Sequence, residues 1–147
     1  MRQESGAVTI MDAQTPKRVV QRFNTEVIQD GSRASFDQLV APDFVNRSAP
    51  AGASDNADSL WNTFQNVLRP GLSNLCVAIH DQVAEGDKVT TRKTITGVHS
   101  GELMGIAPTG QSVTIDVIDI VRVENGRYAE HWGVNTLPGV LAQLRAG

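Results

Sequence analysis

Asp119 is the residue whose setting asks for a chemical explanation. Along the run 113–123 (VTIDVIDIVRV) the odd positions are Val113, Ile115, Val117, Asp119, Val121 and Val123, and the even ones are Thr114, Asp116, Ile118, Ile120 and Arg122. Side chains alternate across a strand, so the odd set forms an apolar face and Asp119 is its one ionisable member. A lone carboxylate on a buried face is costly; it is paired, protonated with a raised pKa, or turned to a wet pocket. In the last setting it can take and return a proton.

His131 and Trp132 lie in the strand-like run that follows Asn125-Gly126, the strongest hairpin signal in the chain. With a plain two-residue loop, Glu124 faces Arg127, Val123 faces Tyr128, and Trp132 stands opposite Asp119 as an aromatic wall. A single bulge in the second strand turns His131 and Gly133 inward instead. Both registers fit the sequence. An aspartate in reach of a histidine can share a proton with it, the imidazole titrating near neutral pH. Asp119 and His131 are therefore the candidate catalytic pair, with Trp132 beside them as a candidate binding residue.

Further candidates are more weakly marked. His99 ends a strand just before the glycine-rich but apolar loop GELMGIAPTG (101–110), where it can stand at a pocket mouth; Leu103, Met104 and Ile106 in that loop suit a cover over something. Phe23, Trp61 and Phe64 lie on helical stripes, so core packing is their default reading and lining a cavity the alternative. Asp81 shares an apolar face but sits near a strand end, and His80 reads as structural. Three histidines scattered over separate elements have no metal-ligand spacing. The glycines match no nucleotide-binding pattern, and no Gly-x-Ser-x-Gly elbow is present. No metal and no cofactor is expected.

The elements that must position these groups follow from the change of period along the chain. Residues 1–14 are polar and aperiodic and read as a mobile tail; the domain, 15–147, begins where Thr15 can cap a helix and Pro16 fits its first turn. Val20, Phe23, Val27 and Ile28 recur at helical spacing up to Asp30-Gly31. A short second helix uses Phe36, Leu39 and Val40 and stops at Pro42. A third, capped by Asp55 or Asn56, carries Leu60, Trp61, Phe64, Val67 and Leu68 up to Pro70-Gly71. From Leu75 the period falls to that of strands, with a turn at Glu85-Gly86-Asp87, a second strand from Lys88 to His99, and the 113–134 hairpin after the loop. A short amphipathic tail holds Val140, Leu141 and Leu144. Helices followed by antiparallel hairpins predict one α+β domain with a strongly curved sheet wrapped around the helices, leaving a pocket. A ferredoxin-like sheet would need helices between the strands, and none is readable there.

Composition bounds the partners. The chain has 147 residues, 40% hydrophobic and 20% charged, which suits one ordinary globular domain. Its net charge of −3 offers no electrostatic reason for nucleic acid or an acidic membrane as partner. Cys76, the single cysteine, excludes an intramolecular disulfide and reads as a buried, inert thiol. The N-terminus has no apolar stretch of signal-peptide length, and no run approaches the ~20 residues that span a bilayer, so a cytoplasmic location is expected.

Three stretches together, VAIHDQVAEGDKV (77–89), TGVHSGELMGIAPTG (96–110) and DIVRVENGRYAEHWGV (119–134), with APDFVN (41–46), resemble the SnoaL-like polyketide and ester cyclases, and the similarity runs from Pro16 to Leu144. The resemblance implies the cone fold of nuclear transport factor two, three N-terminal helices packed into a curved mixed sheet, as a homodimer or homotetramer. It implies a small hydrophobic carbonyl substrate, closed by aldol chemistry without metal or cofactor, while relatives on this fold isomerise, hydrolyse epoxides or hydroxylate. By position, Asn46 matches a pocket asparagine, and Asp119 matches an inward polar position held by histidine in some cyclases. In ring-closing cyclases a catalytic aspartate stands two residues beyond the histidine; this chain has Gly133 there. The expected function is thus a cofactor-free cyclase or isomerase, with Asn46, Phe23, Trp61, His99 and Trp132 around the substrate. A non-catalytic binding or oligomerisation domain of the same fold is the alternative.

Overall fold

A computed structural model describes residues 15–147. The segment 1–14, expected to be a mobile tail, lies outside the described residues. α1 (Pro16–Arg22) starts where Thr15 Oγ1 accepts from the Arg18 amide at 3.4 Å and Pro16 fills the first turn, where a missing N–H costs nothing. It continues as a π-wound segment, Phe23–Gln29, and together they bury Val19, Val20, Phe23, Val27 and Ile28. α2 (Arg33–Leu39) is capped by Ser32 and buries Phe36 and Leu39. α3 (Ala57–Asn62) is capped by Asn56, whose Oδ1 accepts from the Ser59 amide at 3.0 Å, and runs on through the π-wound Thr63–Leu68 and a last turn, Arg69–Gly71.

The helices do not all precede the sheet. Between α2 and α3 the chain forms β1 (Val40–Asn46), an edge strand that runs parallel to the last strand. Pro42, expected to stop a helix, lies within it, and an edge strand tolerates a residue that lacks an N–H. The remaining strands are β2 (Leu72–Glu85), starting before the expected Leu75, β3 (Lys88–His99), β4 (Ser112–Glu124) and β5 (Arg127–Asn135). The five form one mixed sheet in the order β1-β5-β4-β3-β2, antiparallel except for β1 with β5. α4 (Leu137–Ala146) packs back through Val140, Leu141 and Leu144.

One face of the sheet meets the helices. β3 buries Val89, Thr91, Lys93, Ile95 and His99 on it, and β4 buries Val113, Ile115, Asp119, Val121 and Val123, the odd set read from the sequence apart from Val117, which is half-buried. Phe23 is the hub: it stacks on Tyr128 at 4.2 Å and meets Phe64 edge-on at 6.0 Å. Burying each such side chain contributes about 1.5–3 kcal/mol, so this interface anchors the fold. β2 forms the other sheet edge, and Cys76 on it is exposed rather than buried as expected. Among the described residues no helix is long and apolar enough to cross a membrane.

Candidate functional site

The register of the last hairpin decides what Asp119 meets. Glu124 pairs with Arg127 and Val123 with Tyr128 around an Asn125-Gly126 turn whose residues are both left-handed (φ 53° and 75°). The register then shifts, since Arg122 pairs with Glu130 and Ala129 is left without an opposite residue. Of the two registers compatible with the sequence, the bulged one is formed. Gly133 stands opposite Asp119 and His131 opposite Val121, while Trp132 faces Ile120.

Asp119 is 5% exposed and its Oδ2 lies 3.3 Å from Lys93 Nζ and 3.4 Å from His131 Nε2. Its Oδ1 is buried with no hydrogen-bond partner. Lys93 Nζ also donates to Asn24 Oδ1 at 2.6 Å, and Asn24 Nδ2 donates to the Val20 carbonyl at 2.8 Å. Asn46 Oδ1 accepts from the Ser48 amide at 3.1 Å and lies 3.0 Å from His131 Nδ1. Because that oxygen already accepts a backbone N–H, the ring nitrogen facing it donates, and Nε2 is the ring nitrogen turned to Asp119.

Electrostatics follow from this packing. Burial pushes the Asp119 carboxyl upward, but the charge of Lys93 and the hydrogen bond and charge of His131 outweigh it and hold the group below the usual carboxylate range. Of the three settings open to a carboxylate on this face, Asp119 is paired and borders a cavity. Burial, and then the charge of Asp119, push the Tyr128 phenol well above its usual value, so it stays neutral. These groups form the polar end of a cavity of about 350 Å³, walled by Phe23, Phe64 and Val67 from the helices and Ile95, Ile115 and Val117 from the sheet. That size and lining suit a small, mostly apolar molecule held by a few polar groups. Met104 (φ 48°) reaches the cavity from the 101–110 loop.

The cavity thus brings together Asp119, His131, Asn46 and Phe23, but three expected binding residues lie elsewhere. His99 is fully buried: its Nδ1 meets Thr109 Oγ1 at 2.9 Å and its Nε2 meets the Ile106 carbonyl at 3.2 Å, so it staples the loop closed on itself. Trp61 packs on Phe36 at 5.2 Å with the Arg33 guanidinium 5.1 Å from its ring, half-buried against the core. Trp132 is turned away by the bulge and lies under the Lys88 ammonium at 5.5 Å. Asp81 is exposed, paired with Arg92 at 2.7 Å. Lys93 and Asn24 are site residues that sequence reasoning missed. The signal was there: Lys93 shares the inner face of β3 with Val89, Thr91 and Ile95, and Asn24 falls on the helical stripe with Val20 and Val27. Among the described residues no cluster of His, Cys, Asp and Glu is arranged to hold a metal ion.

Gly133 belongs to the same constellation. A Cβ there would lie 2.9 Å from His131 Cε1 and 3.2 Å from Asp119 Cβ, so the imidazole reaches Asp119 through space that only glycine leaves.

Comparison with known proteins agrees with this fold. IdmH from Streptomyces antibioticus, described as a candidate polyketide cyclase, is 27% identical, with 88% of this chain and 97% of that one covered and a TM-score of 0.76. A candidate SnoaL-like polyketide cyclase from Jannaschia sp. CCS1 is 25% identical over 90% and 92% of the two chains, at a TM-score of 0.77. TsrD from Streptomyces laurentii, 23% identical over 87% and 92%, shares the fold at a TM-score of 0.76. No curated protein matches the chain. The SnoaL-like polyketide cyclase family matches residues 18–144, nearly the whole described domain, and the chain belongs to that family.

Proposed function

We propose that the chain is a cofactor-free acid/base enzyme of the cyclase or isomerase type, acting on a small, largely apolar carbonyl compound of polyketide-like kind. The observation that carries this reading is Asp119, an ionised carboxylate with one unpartnered oxygen at the polar end of an apolar cavity. Sheltered from water, such a carboxylate takes a proton from the carbon beside a carbonyl and leaves an enolate. Return of the proton at another carbon isomerises the substrate; attack of the enolate carbon on a second carbonyl closes a ring. His131, held by Asn46, shares its proton with Asp119 and steadies it between the two steps.

The pairing of Asp119 with Gly133 supports the same reading. The ring-closing cyclases that the chain resembles carry their aspartate at the Gly133 position, and here the carboxylate stands directly across the ladder from it. Both positions line the same cavity. A second reading, a non-catalytic binding domain, is favoured by the ties of Asp119 to Lys93 and His131, which would serve equally as internal support. Native mass spectrometry of protein from its host identifies a co-purified ligand, and turnover is then measured on it. Asp119→Asn should cut turnover by about 100-fold or more. Full turnover in that variant would sink the enzymatic reading; a co-purified ligand that the wild-type protein leaves chemically unchanged would support the binding domain. The same proposal has the chain working as a homodimer or homotetramer in the cytoplasm.

A further inference from the structure

Lys93 is a cation in the middle of an inner sheet face, 5% exposed and flanked along that face by Thr91 and Ile95. An ammonium is costly to bury unless it is paired and hydrogen-bonded. Asn24 Oδ1 at 2.6 Å and Asp119 Oδ2 at 3.3 Å supply two partners. An ammonium has three N–H donors, and no third protein acceptor meets it among the described residues, although Lys93 lines the cavity. One donor is therefore left for whatever occupies the cavity beside Asp119.

We infer that Lys93 holds the carbonyl oxygen of the substrate and takes up the negative charge that forms there, with Asn24 as the residue that positions it. The inference rests on the acid/base reading above and adds the electrophilic partner that reading lacks. The step balances within the cavity. Asp119 takes the proton from the carbon beside the carbonyl, the C–H pair becomes the carbon–carbon double bond, and the carbonyl π pair moves onto oxygen. Asp119 becomes neutral as the enolate oxygen becomes charged. Lys93 loses one counter-charge and gains another nearby, so the net charge of the cavity does not change. In a site screened from water, a fixed cation serving both anions needs little rearrangement as the charge moves. A carboxylate held below its usual range is a weak base, so the reaction depends the more on stabilising the enolate. Asn24 suits the positioning role because its Nδ2 is tied to the Val20 carbonyl, which keeps its oxygen turned to Lys93.

The test uses 4-nitrophenol, an unreactive stand-in for an enol whose neutral and ionised forms absorb differently. Asp119→Asn mimics the acid after it has taken the proton. This variant should bind the phenolate in preference to the phenol, and Asp119→Asn/Lys93→Met should bind the phenolate at least tenfold more weakly. Asn24→Ala in the Asp119→Asn background should move the bound probe toward its neutral spectrum. Equal phenolate binding with and without Lys93, or preference of Asp119→Asn itself for the neutral phenol, overturns the inference. The second outcome needs no lysine variant to fold. The probe is not turned over, so this result stands apart from the turnover of Asp119→Asn that tests the acid/base reading.

Discussion

The Asp119 carboxyl is drawn two ways, burial favouring the neutral acid and Lys93 and His131 favouring the anion, and the anion wins. The stability consequence has a definite sign. A folded value below the unfolded one adds stability that is present above the ordinary carboxylate range, near ~4, and is lost as pH falls through the folded value. Melting temperatures of wild type and Asp119→Asn should therefore differ at neutral pH and converge below about pH 4. A constant difference down to strongly acidic solution would contradict the buried pair. Gly133→Ala puts a methyl group 2.9 Å from His131 Cε1, which forces the imidazole away from Asp119. Overpacking of this kind costs about 1–3 kcal/mol, and denaturant unfolding should show a loss in that range alongside reduced turnover. Wild-type stability in that variant would mean that the ring moves freely.

Among the elements, the bulge in β5 does most to shape the site. Ala129 is the extra residue, and every side chain beyond it changes face on its account. Deleting Ala129 brings Glu130 directly after Tyr128, which removes the bulge but keeps Glu130 opposite Arg122 and Gly133 opposite Asp119, so His131 should stay inward and Trp132 outward. Tryptophan emission and ligand binding in the cavity should therefore stay close to wild type, while far-ultraviolet circular dichroism keeps its strand signal. A blue shift, with Trp132 turned inward and binding lost, would show that the strand re-registers from the turn rather than keeping the pairs beyond the bulge. The π-wound Phe23–Gln29 segment acts similarly on the helical side, as it carries both Phe23 and the Asn24 amide that faces Lys93.

On the scale of the whole molecule, the sheet face away from the helices remains open. Ile118, Ile120 and Val134 on β4 and β5 are 49%, 37% and 70% exposed, and Trp132 pairs with Ile120 among them. Apolar side chains grouped in this way suit a partner surface, which supports the proposed homodimer. Light scattering coupled to size exclusion should give twice the chain mass or more, and Ile118→Asp should return it to the monomer. A wild-type monomer at micromolar concentration would refute the assembly.

By itself the sequence determined the features that depend on near neighbours. The fall of period at the end of the helices, the Thr15 cap, the Asn125-Gly126 turn and the inward face of Asp119 all follow from steric and hydrogen-bonding rules that act over a few residues. Only the tertiary structure decided what Asp119 would face. Lys93 meets Asn24 across 69 positions of chain and His131 meets Asn46 across 85. Those contacts depend on sheet order, on one unpaired residue in β5 and on a parallel edge strand that carries a proline. His99 and Trp132 were misplaced for the same reason: strand alternation says that a side chain changes face at each step, but register and packing say what that face meets.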